Sequence, residues 1–126
     1  MAELVISEKS GSSDLAPLAL AVNQILGLPV TLRSLAVPGV RIEGGKVLDD
    51  EYSGPVLEEV MRSGKAVRTV PKGGVYKGVP VSVAPIRNQD GKVIAAIGVV
   101  DVVGTIDIPA VFGAYTEVVK EVSEKR

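Results

Sequence analysis

Residues 79–103 read VPVSVAPIRNQDGKVIAAIGVVDVV, and the two halves of this stretch carry different patterns. In the first half Val79, Val81 and Val83 alternate with Pro80, Ser82 and Ala84, the period of a strand with one side against helices. Pro80 and Pro85 cannot donate to a ladder, so parts of this strand are expected at an edge or a bulge. Asn88-Gln89-Asp90-Gly91 is a polar turn, with Gly91 supplying a positive φ. From Lys92 onward the residues are almost all Val, Ile, Ala and Gly, the pattern of a central strand covered on both faces. Gly98 lacks a side chain, so a helix, a ligand or another chain can approach there.

The rest of the chain sorts by period in the same way. In SDLAPLALAVNQILG, Leu18, Val22, Ile25 and Leu26 follow helical spacing. Ser13 or Asp14 is the expected cap, Pro17 falls in the first turn, and Gly27 is the stop. This helix is apolar on more than one face, which implies burial on two sides or contact with another subunit. Short extended pieces follow at residues 29–33, 40–43 and 46–48, separated by Pro38-Gly39 and Gly44-Gly45 turns. Gly44-Gly45 reads as a tight hairpin, because no Lys-Ser or Lys-Thr follows it as a phosphate loop requires. Ser53-Gly54-Pro55 opens a second helix with Val56, Leu57, Val60 and Met61 as its apolar stripe, and Gly64 ends it. Residues 66–70 form a strand, and residues 75–78 are a loop or the approach to the next strand. A last helix begins near Pro109, capped by Asp107, with Val111, Tyr115, Val118 and Val122 on one face. Residues 1–12 are a flexible lead or short strand, and 123–126 a frayed tail.

Hairpin-length links between the strands make a mainly antiparallel sheet the economical solution. The expectation is a single α+β domain spanning residues 1–126, with about five strands and three helices. Composition sharpens this. At 126 residues and 46% hydrophobic, the chain can build one core, and with one Phe, three Tyr and no Trp that core must be aliphatic. Lys plus Arg number 14 against 15 Asp plus Glu, without the clustered basic footprint of a nucleic-acid binder. The acids near the start and the lack of an apolar leader argue against secretion. The longest apolar run falls short of the roughly 20 residues of a membrane span. A cytoplasmic location is expected.

There is no Cys and no His in the chain. Disulfides, thiolate nucleophiles, imidazole bases and thiolate or imidazole zinc sites are therefore excluded. Glu43, Asp49, Asp50 and Glu51 form the densest acidic cluster. Asp49-Asp50-Glu51 just before a helix suits capping and dipole charge better than acid–base catalysis, and the cluster lacks the alternating spacing of a calcium loop. No catalytic residue, metal ligand or cofactor is assigned.

Two segments carry a resemblance: GPVLEEVMRSGKAVRTV, a helix running through Ser-Gly-Lys into a strand, and the hairpin VPVSVAPIRNQDGKVIAAIGVVDVVG. Together, over roughly residues 54–104, they resemble the central part of PAS-like sensor domains, including the Cache type; a PAS/profilin-like sheet is the implied fold. The whole chain is also similar to a family of small uncharacterised archaeal proteins, mostly from methanogens. The sensor resemblance implies a small-molecule pocket between the sheet and the helix or loops before it. At matching positions it implicates Arg68, Thr69, Tyr76, Lys77 and Ser82, with Arg68 and Lys77 suited to a small carboxylate or other metabolite. Asp101 joins this set as an acid inside an apolar strand, which must sit at the strand's end, pair with Arg33, Arg41, Arg68 or Arg87, or line the pocket. The expected function is a non-catalytic sensing or regulatory module acting as a homodimer. The alternatives are a roadblock- or longin-like dimerisation scaffold and, further off, an enzyme working through carboxylates.

Overall fold

The parity of one strand sets the layout. In the computed structural model, which describes residues 4–101, β6 (Val93–Val100) lies in the middle of a six-stranded sheet. The other strands are β1 (Val30–Ser34), β2 (Gly39–Glu43), β3 (Lys46–Tyr52), β4 (Val67–Thr69) and β5 (Val81–Arg87), in the order β3-β2-β1-β6-β5-β4 with every pairing antiparallel. Ile97 and Val99 of β6 pack toward helix α1 (Ser12–Leu26), whereas Ala96 and Val100 pack toward helix α2 (Pro55–Ser63). Successive strand residues point to opposite faces, so the two helices cover opposite sides of the sheet. The continuous apolar run of β6 follows from that double cover.

Each helix closes its own core. Leu15 and Ala19 of α1 pack on Val30, Leu32, Val40 and Ile42 of β1 and β2. Leu57, Val60 and Met61 of α2 pack on Val81 and Val83 of β5 and on β6. These residues are aliphatic or Met, but the α2 core also takes in Tyr52 and Tyr76, so it is not purely aliphatic as the composition suggested.

Gly11, not Ser13 or Asp14, is the N-cap of α1, and the Asp14 carboxylate accepts the Gly11 N–H at 3.0 Å. With the helix starting at Ser12, Pro17 lies in the second turn and removes the bond to the Ser13 carbonyl. Both residues are exposed, so water can donate to that carbonyl in place of the missing amide and the helix continues. Gly54 caps α2 with Pro55 next to it, while the Ser53 hydroxyl donates to Glu58 at 2.6 Å instead. Gly27 and Gly64 both stop their helices in the left-handed conformation, with φ of 69° and 72°.

Two differences from the expected fold have local causes. There are six strands rather than about five, and Asp49-Asp50-Glu51 extends the one begun at Lys46 instead of capping α2. Charge on an edge strand is a common guard against edge-to-edge pairing, and β3 is the sheet's edge, with irregular register against β2. Residues 4–6 are not a strand: Ile6 packs against the α1 core, and residues 7–10 turn back with Ser10 buried. The Glu8 carbonyl accepts the Ala36 amide at 2.8 Å, and its carboxylate meets Lys92 Nζ at 2.6 Å. Two helices occur among the described residues; the third expected helix and the frayed tail lie outside them.

Pro85 finds the free edge it needs, since β4 pairs only with Val81, Ser82 and Val83 of β5. The Asn88–Gly91 turn forms with Gly91 at φ 82° and a bulge between Ile86 and Arg87. Asn23 is buried within α1 and joins three elements. Its Nδ2 donates to the Leu28 carbonyl at 2.7 Å, and its Oδ1 accepts the Gly45 amide at 2.9 Å. Asn23→Ala is expected to lower stability by about 2 kcal/mol, since it strands both backbone groups; urea titration followed by circular dichroism checks this.

Candidate functional site

On the α2 face of the sheet, residues 71–78 form a loop that roofs the space beside the helix. The loop is closed at its base by the Gly78 amide donating to the Pro71 carbonyl at 3.0 Å. Gly74 and Gly78 both have φ of 82°, and this allows the chain to double back around Tyr76. Tyr76 turns inward and is 9% exposed. Beneath it lies a gap of about 20 Å³, walled by Leu57 of α2, Val81 and Val83 of β5, Thr31 of β1, and Tyr52. A volume of that size holds about one water molecule. Gly98 forms part of the floor: a Cβ there would stand 2.8 Å from Thr31 Oγ1 and 3.0 Å from Val83 Cγ2. The groups that approach Gly98 are thus Thr31, Val83 and, from α2, Leu57.

A polar cluster borders this apolar gap. Tyr76 OH donates to Glu43 Oε2 at 2.6 Å, and Arg41 Nη1 donates to the same oxygen at 2.9 Å. The Arg41 guanidinium carbon is 6.0 Å from the centre of the Tyr76 ring, within reach of a cation–π contact. Burial, then the bond to Glu43, pushes the Tyr76 hydroxyl's pKa well above its ordinary range, with the Arg41 charge opposing. Burial also raises Tyr52, again against Arg41. The neighbouring Tyr76 hydroxyl, and after it Glu43, hold the Arg41 guanidinium above its usual value.

A raised tyrosine pKa means the folded state keeps its proton after the unfolded chain has lost its own. The stability this represents is fully present below the ordinary value of 10.0 and is lost as pH climbs toward the folded values. The tyrosinate absorbance contributed by Tyr52 and Tyr76 is therefore expected to rise late and to coincide with alkaline unfolding.

The structure divides the six residues expected to hold a ligand. Tyr76 lines the gap. Thr69 is on the same face of β4, opposite Val81, but borders a shallow outer groove rather than the gap. Arg68 and Ser82 are register partners and occupy the other face of the sheet, in an open groove with Ala84, Ile97 and Val99. The Ser82 hydroxyl oxygen is buried there without a hydrogen-bond partner. Lys77 is exposed in the loop. Asp101 is 2% exposed directly past the end of β6, and its amide donates to the Pro80 carbonyl at 2.8 Å. Adjacent residues on one strand cannot share a pocket, so Arg68 and Thr69 are separated by the sheet itself.

Thr31 and Tyr52 also belong to the site, as do Arg41 and Glu43, which the sequence suggested only as a partner for Asp101 and as part of an acidic cluster. Alternation of Arg41 and Glu43 with Val40 and Ile42 was the available signal, since it puts both charges on the face away from α1. The acidic cluster does not assemble, with Asp49, Asp50 and Glu51 strung along β3, and no group of three or more acidic side chains among the described residues could hold a metal ion. No helix among them is long and apolar enough to cross a membrane.

Residues 22–103, which take in every residue of the gap and its polar border, match the model of a family described as an uncharacterized protein conserved in archaea, DUF2111. The chain belongs to this archaeal family. It is also 46% identical over 111 residues to the uncharacterized protein MJ0405 of Methanocaldococcus jannaschii, a match that covers 86% of this chain and 84% of the relative. The DUF2111 match begins within α1 at Val22 and runs through all six strands.

Proposed function

We propose that this DUF2111 protein is a cytoplasmic, non-catalytic small-molecule-binding module of PAS-like character, working as a regulator. The observation that carries the reading is the apolar gap roofed by residues 71–78, a loop with glycines at its bends and one inward tyrosine fixing it to β2. Concave apolar sites with a few convergent polar groups are the usual form of ligand pockets. Placement of α2 between β3 and β4 and of this loop between β4 and β5, both on one face of an antiparallel sheet, suits the pocket position that the sensor resemblance implies. The scaffold alternative gains less: α1 and α2 lie on opposite faces and do not make a flat helix pair.

Self-association belongs to the same proposal. The apolar run of β6 is satisfied inside the sheet, so a second copy would rest on Ile25 and Leu26 of α1 and on Val47 and Leu48 of β3, all exposed. A mass of one chain in light scattering at micromolar concentration would remove this part.

A thermal-shift screen of aliphatic carboxylates, amino acids and nucleotides tests the pocket. A true ligand at 100 times its dissociation constant adds about 2.7 kcal/mol, and its effect is expected to disappear in Gly98→Val, which fills the floor of the gap. Absence of any shift across the three classes would sink the sensing reading.

A further inference from the structure

We propose that Arg41 is the ligand anchor of this pocket, and that the ligand is a short, branched aliphatic carboxylate. The inference rests on the pocket reading above and adds the chemical class of its occupant. Arg41 is the register partner of Thr31, whose side chain lines the gap, and both point to the same face of the sheet. Tyr76 and Tyr52, the gap's other polar walls, each feel the Arg41 charge. Arg41 does not itself line the closed gap but stands beside its polar walls, Thr31 and Tyr76, and the rest of the lining is mainly apolar.

The guanidinium is incompletely satisfied. Glu43 engages Nη1, but Nε is buried and has no hydrogen-bond partner. A buried donor without an acceptor is costly, and one on a charged group more so. The Nε edge of a guanidinium is one of the edges on which a carboxylate binds through two parallel bonds. An incoming carboxylate would satisfy Nε without displacing Glu43 from Nη1. The body of such a ligand would meet Leu57, Val81, Val83 and Val100, which offer no hydrogen bond and suit a branched hydrocarbon.

The closed gap is too small for such a body, so binding requires residues 71–78 to move outward. Their roof is held by the Tyr76–Glu43 bond and by packing of the Tyr76 ring on the α2 core, and a Cβ at Gly78 would meet open space. Loosening that bond enlarges the chamber on the side where Arg41 stands.

Isovalerate and its uncharged counterpart isovaleramide, titrated into the full-length protein at neutral pH, separate the possibilities. Isovalerate is expected to raise the melting temperature and isovaleramide to leave it unchanged. Arg41→Lys, which keeps the charge and loses the planar edge, should weaken isovalerate by about tenfold or more. In the nitrogen-15 spectrum of the unsubstituted protein, one arginine Nε–H signal is expected to move with isovalerate and not with isovaleramide; this readout does not depend on any variant folding. Equal binding of acid and amide, or an unmoved Nε–H signal despite binding, would overturn the assignment of Arg41 while leaving the pocket intact. Binding of neither compound would overturn this assignment, and the pocket reading would then stand or fall on its own broader screen.

Discussion

Gly39→Ala is expected to lower stability by about 3 kcal/mol or more, at the upper end for overpacking substitutions. Gly39 opens β2 and is buried against β1. A methyl group there would collide with the carbonyl oxygen of Leu32 and lie 2.6 Å from the Arg33 Cα. Both obstacles are backbone, so no side chain can swing aside, and relief would require β1 and β2 to separate. That would also disturb the pairing of Leu32 with Val40 and the α1 core above it. Gly73→Ala is the control, because a Cβ at Gly73 meets nothing within 4 Å, and it should stay within about 0.5 kcal/mol of the parent. Urea midpoints for the two variants decide the matter; equal midpoints would mean that the hairpin is looser than its geometry indicates.

Leu57→Ala should cost about 3 kcal/mol, within the range for buried leucine truncations. Leu57 is 2% exposed and forms one wall of the gap under residues 71–78. Removing its isobutyl group joins new empty space to the existing gap, and an apolar cavity of that kind takes up small hydrocarbons. Benzene is accordingly expected to restore part of the lost stability. Leu15→Ala, on the opposite face, should cost a comparable amount with no rescue, as Leu15 is fully buried between α1 and the sheet with no such gap beside it. Rescue of both variants to the same extent would deny the gap any special character.

Features encoded by local pattern were legible in the chain. The unbroken apolar run of β6 marked a strand covered twice, and Gly27, Gly64 and Gly91 marked the two helix ends and the hairpin turn. The full length of β3 was obscured because Asp49-Asp50-Glu51 has a composition equally suited to the start of a helix; its strand character comes from pairing with β2. The site was less legible for a related reason. Arg68, Thr69 and Ser82 were grouped by resemblance, but strand alternation sends Thr69 to one face and Arg68 with Ser82 to the other. Arg41 matters because β1 and β2 place it beside Thr31 and because a loop more than thirty positions later brings Tyr76 to Glu43, a contact between residues 33 apart. No local period records a meeting of that kind.

The position of β6 has a consequence for how the protein is made. Val30 pairs with Val99, so the earliest strand waits for the latest of the six before the sheet can close. Both cores draw on that late strand, Ile97 and Val99 for one and Ala96 and Val100 for the other. While the chain is emerging from a ribosome, β1, β2 and β3 can form a meander with α1 above it, but β1 keeps an open edge until β6 arrives. Pairings between distant segments slow folding, and an unpaired apolar edge invites association with other nascent chains. Closure of this sheet therefore waits until β6 has emerged, and the interval before it is when the open apolar edge is most exposed to aggregation.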